Sequence, residues 1–246
     1  MKKLLIYIFI LSVSIPSYAQ FYTQGKISFE RKISVKRKLE TESKDEWVKS
    51  NINRFAQFTA SDFTLTFNKT QTEYDFVKEQ EVTGETYSWG TEPGSQNAVF
   101  VDFKNGQIKS KKLAYEKTYL IEDSIPKFKW KIMDEMRTIA GFPCRKAITN
   151  IDDSVVVVAF YCDQLMVSGG PESFNGLPGM ILGLAIPRLY ATWFATNVDI
   201  TPQELTPFKT DKKSKVSTQK LLMKDVENAT KDWGDYSASF RWWILL

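Results

Sequence analysis

Residues 144–162 read CRKAITNIDDSVVVVAFYC. Two runs rich in β-branched residues flank the turn-forming pair Asp152-Asp153, so the segment reads as a β-hairpin. A three-residue loop at 152–154 sets Ile151 opposite Val155, and the ladder carried outward sets Cys144 opposite Cys162. Directly opposed residues at a non-hydrogen-bonded position lie about 4.5 Å apart between Cα atoms, within disulfide range. A disulfide between Cys144 and Cys162 is therefore expected, with two buried free thiols as the alternative. Catalysis by either thiol is not expected, because the chain has no His to activate it.

The same period-two pattern extends outward. In 25–37, GKISFERKISVKR, Ile27, Phe29, Arg31, Ile33 and Val35 share one side, and Ser28, Glu30, Lys32, Ser34 and Lys36 share the other. That is the signature of a half-buried antiparallel strand. Phe63, Leu65 and Phe67 alternate before a turn at Asn68-Lys69, and Tyr74 and Phe76 continue beyond it. Val99 to Phe103 leads into Asn105-Gly106, a strong hairpin signal, followed by Ile108, Leu113 and Tyr115. Leu120-Ile121 and Phe128-Trp130-Ile132 read as further strands, and 83–97, with Trp89, reads as a loop. A helix is expected over 44–56, introduced by the Ser43–Glu46 capping box, and another over 219–227 with Ser217 as its cap. The apolar end FRWWILL, 240–246, is expected to dock as a final strand. The fold class is mainly β: a single antiparallel curved sheet, half-barrel or open barrel, with one or two short helices.

The first residues have the layout of a signal peptide: Lys2-Lys3, an apolar run from Leu4 to Val13, then Pro16 and small residues at Ser17 and Ala19. Cleavage between Ala19 and Gln20 leaves residues 20–246 as a single β-rich domain in the periplasm or outside the cell. No cysteine stands at the cut for lipid attachment, and no later apolar run is long enough to span a membrane. Loss of Lys2 and Lys3 lowers the formal charge from +4 to +2, too little for a nucleic-acid-binding face. The absence of His excludes Ser-His-Asp and Cys-His catalysis and His-ligated metal centres. No cofactor, metal site or catalytic residue is expected.

Residues 169–187 read GGPESFNGLPGMILGLAIP. Gly169, Gly170 and Pro171 make one tight bend, and Gly176, Pro178 and Gly179 another. Pro178-Gly179 suits the central positions of a type II turn. Phe174 and Leu177 are expected to plug the core, and Met180-Ile181 to open a buried strand. The segment reads first as a compact structural loop and second as a binding loop that presents backbone N–H groups. It is not a phosphate-cradling loop, since neither glycine signature for one is present.

With these residues in view, the chain resembles the GLPGLI family of exported Bacteroidetes proteins. The motif stands here as Gly176-Leu177-Pro178-Gly179-Met180-Ile181, with Met in place of the family's Leu. Gly25 to Glu30, Trp130, the stretch from Ile139 to Ala147 and the context GGPESFNGLPG carry the likeness as far as about residue 200. The resemblance implies a β-rich periplasmic or secreted protein, with members often encoded beside outer-membrane receptor genes. It implies no activity, substrate or catalytic residue. Three functions fit: a non-enzymatic envelope protein that binds a lipid, another apolar ligand or a partner protein; a structural partner of an outer-membrane receptor complex; and a hydrolase using carboxylates such as Asp163 and Glu172.

The reading of the N-terminus has a direct check. N-terminal sequencing of the exported protein is expected to begin at Gln20, and a membrane-bound form beginning at Met1 contradicts it.

Overall fold

The computed structural model describes residues 20–86, 94–114, 117–152, 154–206, 208, 214–234 and 236–246. The expected signal segment with Ala19, and Trp89, Tyr115 and Asp153, lie outside these. Twelve strands occur in the described residues: β1 Gly25–Ser34, β2 Phe58–Phe67, β3 Gln71–Glu79, β4 Ala98–Asp102, β5 Gln107–Ala114, β6 Lys117–Ser124, β7 Lys131–Ile139, β8 Phe142–Ile151, β9 Val155–Cys162, β10 Met180–Ile186, β11 Ala191–Asp199 and β12 Lys215–Ser217. Four α-helices accompany them: α1 Val35–Glu42, α2 Glu46–Ser50, α3 Gln219–Thr230 and α4 Tyr236–Leu245. The strands form one open sheet in the order β12-β6-β5-β4-β3-β2-β1-β11-β10-β9-β8-β7. Every neighbouring pair is antiparallel except β12 with β6. The mainly β, open-sheet expectation therefore holds.

The alternation in β1 fixes which face is covered. Ile27, Phe29, Arg31 and Ile33 are buried, and Lys26 and Lys32 are exposed. Register extends that face across the sheet through Ile27, Leu65, Tyr74, Val99, Ser110 and Ile121. On the other side Arg31 pairs with Trp193. Segment 163–179, α3 and α4 pack over this face. At the far end, Ile139 and Phe194 close over Gly183 on the opposite face, and Arg137 lies 4.8 Å from the Phe194 ring. This is why β10 reads MILGLAI without alternation: it is covered on both sides.

Several local expectations are corrected. The chain leaves the sheet after Ser34, because Val35 and Leu39 turn to join Val48 and Phe55 in a small satellite core as α1. The cap of α2 is Asp45, whose side chain accepts from the Trp47 N–H, and Ser43 instead accepts from the Asp45 N–H. The cap of α3 is Thr218, since Ser217 belongs to β12. Phe128 and Trp130 precede β7 and pack on Phe174. The C-terminal run is the helix α4, not a strand. Beside β6, the sheet position is already taken by β12, so a segment lying on the face must satisfy its backbone groups internally.

The hairpin register is the one read from the sequence, with Arg145 opposite Tyr161 and Ile151 opposite Val155. The expected disulfide is not formed: Cys144 and Cys162 are buried free thiols. The Cys144 thiol donates to the Phe142 carbonyl at 3.4 Å. The neighbouring Cys144 thiol outweighs the opposing effect of burial on Cys162. With the N–H groups of Gln164 and Leu165 adding to it, the Cys162 thiol is lowered to about 7. The neighbouring sulfur and burial push the Cys144 thiol up.

The turn at Pro178 is also tighter than a type II turn, because the Gly179 N–H donates to Leu177 O at 2.8 Å. Gly179 has φ +145°, and a Cβ there would lie 2.1 Å from the Cys162 carbonyl oxygen. Backbone contact, rather than turn type, demands glycine. Gly179→Ala is therefore expected to destabilise nearly as much as Gly179→Val, by about 2–5 kcal/mol from collision and strain together. Urea unfolding of the two variants checks this, and a wild-type midpoint for the Ala variant contradicts it.

Candidate functional site

The motif loop uses its polar backbone groups internally. The Ile181 N–H donates to Gly169 O, the Gly176 N–H to Ser168 O and the Ser173 N–H to Leu246 O. The Ser168 hydroxyl donates to Leu177 O at 2.6 Å, and the Trp130 indole donates to Asn175 O at 2.8 Å. Gly169, Gly170, Pro171, Phe174, Leu177, Met180 and Ile181 are buried, whereas Gly176 and Pro178 face solvent. The compact structural reading of this loop is the one its hydrogen bonds favour. What the loop presents to the rest of the molecule is Glu172.

Glu172 is fully buried in the left-handed region, at φ +56°. Its Oε2 accepts from Asn97 Nδ2 at 2.8 Å, and its Oε1 accepts from the Trp193 indole at 3.3 Å. Arg31 and Lys112 supply positive charge to it from the covered face. Arg31 Nη1 donates to Gly94 O at 2.7 Å, and Nη2 donates to Ser95 O at 3.1 Å. The guanidinium lies 4.9 Å from the Phe63 ring and 5.7 Å from the Trp243 ring. Lys112 Nζ donates to Ile244 O at 2.7 Å, which ties the end of α4 to β5. Three polar atoms in this region have no hydrogen-bond partner: Arg31 Nε, Ser95 Oγ and Asn97 Oδ1.

Burial raises the Glu172 carboxyl, and Arg31, Asn97, Lys112 and Trp193 oppose the rise. Burial and then the charge of Glu172 raise the Tyr74 phenol, so it stays neutral. Lys112 is lowered by burial to about 8, with Glu172 resisting. Among the described residues no group of three or more His, Cys, Asp or Glu could hold a metal. A cleft of about 130 Å³ bordered by Gln96, Lys111, Leu113 and Thr118 is shallow and lacks buried charge.

Sequence reasoning named Glu172 only as a partner for Asp163. The structure separates them, with Asp163 exposed and Glu172 sealed. Arg31, Tyr74, Asn97, Lys112 and Trp193 were not singled out as site residues. The one visible signal was Arg31 within the apolar stripe of β1. Lys112 carried a similar signal, since it alternates in register with Ile108 and Ser110.

Lys112 gives the cluster a pH signature. The unfolded side chain titrates near 10.5 and the folded one at about 8, so between these values the unfolded chain binds more protons and stability rises with pH. The strain released is on the order of 3 kcal/mol. Urea unfolding across this range is expected to show a markedly steeper rise in the wild type than in Lys112→Met.

Residues 148–183 match a family model described as "Protein of unknown function (Porph_ging)". The match takes in the end of β8, β9, the motif loop and the start of β10, and leaves most of the chain outside it. No curated protein matches the sequence. Among solved structures, PNGF-II in its P21 crystal form is similar over 82% of this chain and 32% of that one, at 15% identity and a TM-score of 0.51. Its C2 form gives 14% identity and a TM-score of 0.49 over the same shares. An uncharacterized conserved protein from Thermus thermophilus matches over 80% of this chain and 91% of that one, at 8% identity and a TM-score of 0.38. The chain spans about a third of the PNGF-II chains it matches, and the likeness to the P21 form is one of fold alone.

Proposed function

We propose that the chain is an exported binding protein of the GLPGLI type, acting without catalysis in the periplasm or outside the cell. Its ligand is taken on the covered face of the sheet, at the Glu172 cluster. The observation that carries this reading is the set of three unpartnered polar atoms around one sealed carboxylate. Each such atom costs about 1–3 kcal/mol, and apolar packing in their place would be cheaper. The left-handed backbone of Glu172 adds about 1–3 kcal/mol of strain. A fold selected for stability alone has no use for either, whereas a ligand supplies the missing partners.

A carboxylate hydrolase needs two carboxyls in one accessible pocket, and exposed Asp163 with sealed Glu172 does not provide that. The C-terminal run, expected as a docked final strand, is packed inside as α4 and offers no free edge to an outer-membrane partner.

Native mass spectrometry of the protein purified from its own periplasm is expected to show a retained small molecule. Ser95→Ala removes an unpartnered hydroxyl, so it is expected to keep or raise stability while lowering ligand occupancy. A protein that carries no ligand, with a Ser95→Ala variant identical to it in every respect, overturns the proposal.

A further inference from the structure

The helix α4 does not match the surface it covers. It buries Trp242, Trp243 and Ile244, and Leu246 is buried just beyond its end. Beneath lie Arg31, Lys112 and Glu172 with their unpartnered neighbours. Trp243 meets the guanidinium of Arg31 with its ring and packs 6.1 Å from Trp193, so its apolar surface answers none of the orphaned atoms.

What secures the end of α4 is main-chain oxygen. Lys112 Nζ and Gln219 Nε2 converge on Ile244 O at 2.7 and 3.0 Å, and the Ser173 N–H reaches Leu246 O at 3.1 Å. Three donors, one of them cationic, thus hold two oxygens at the partly negative C-terminal end of a helix. A carboxylate or phosphate presents the same oxygens with full charge. The buried side-chain charges beneath the helix are the cations Arg31 and Lys112 and the carboxylate of Glu172, with Asp123 at the edge accepting from the Gln219 N–H at 3.3 Å. Behind the oxygens, the buried side chains of α4 fill the room that an alkyl chain would need. The helix is an internal stand-in for a molecule with an apolar chain and an anionic head. Gly234, in the left-handed conformation at φ +59°, stands at the turn that joins α3 to α4.

We propose that the covered face binds a single-chain anionic amphiphile, its head on Lys112 and Arg31 and its chain in place of α4, which swings out as a lid. This rests on the reading of the Glu172 cluster as a binding site and names its ligand class.

The test uses the full chain with sodium myristate, dodecyl phosphate, neutral tetradecanol and acetate as probes. Tryptophan fluorescence follows binding below the micellar concentrations, and hydrogen exchange of the 236–245 amides follows the lid. Myristate or dodecyl phosphate is expected to bind saturably at least about tenfold more tightly than tetradecanol, the preference a charge-assisted hydrogen bond gives. Binding is expected to speed exchange in α4. Gln219→Ala, which loosens the lid, is expected to bind about threefold or more tightly than the wild type, because less of the binding energy goes into opening. Lys112→Met is expected to lose the preference for the anionic head.

Equal binding of tetradecanol and the anions overturns the ligand class but leaves the binding site standing. Binding of acetate as tight as that of myristate overturns the apolar chain. No saturable binding in either the wild type or Gln219→Ala, with α4 exchange unchanged, overturns the proposal, while a different ligand retained on the purified protein would still uphold the binding reading.

Discussion

The carboxylate of Glu172, closed off from water between Arg31 and Lys112, is the constraint around which the covered face is arranged. A buried charge without partners is prohibitively costly, and even a paired one costs more than apolar packing. Four separate parts of the chain must therefore arrive together. β1 brings Arg31, β5 brings Lys112, β11 brings Trp193, and the segment before β4 brings Asn97 and the carbonyls of Gly94 and Ser95. Loss of any one leaves a charge or a donor stranded, so the centre of the sheet is held by polar geometry as much as by apolar area.

This arrangement also gives the glycine–proline segment its purpose. Its backbone hydrogen bonds close on themselves and on its immediate supports, and Phe174 anchors it against Phe128 and Trp130. Gly179 lets the main chain lie directly on the Cys162 carbonyl. The segment is thereby stiff enough to hold a non-glycine residue, Glu172, in a left-handed conformation and aim its side chain inward. The motif shapes the site through Glu172, and its Ser173 N–H donates to Leu246 O beside it.

The covered face has two characters. Most of it is a close-packed apolar core, with Ile27, Phe29 and Leu65 at its centre. Toward Glu172 it is polar and incompletely satisfied, under a helix that presents mostly ring and aliphatic surface. Local conflicts of this kind are uncommon where sequence and fold agree at every level, and they concentrate where a protein meets something other than itself. The thiols of Cys144 and Cys162 form a smaller, separate polar pair within the core.

Period-two alternation made the sheet legible, because one residue's shift in register turns every side chain to the wrong face. The pattern Ile27, Phe29, Arg31, Ile33 and the turn at 152–154 sufficed for strand β1 and for the β8–β9 register. Helical ends were less legible: Asp45 and Thr218 cap where Ser43 and Ser217 were expected, since adjacent polar residues compete for one role. FRWWILL is apolar enough to be buried in either conformation, and only the occupied position beside β6 makes it a helix. The sequence by itself determined a mainly β chain, its hairpin register and its motif loop, all of which depend on neighbours close along the chain. Only the tertiary structure decided that Glu172 meets Arg31, Asn97, Lys112 and Trp193, because those contacts join strands far apart in sequence. A buried charge draws its partners from whatever the sheet order brings within hydrogen-bonding distance, and no local pattern records that.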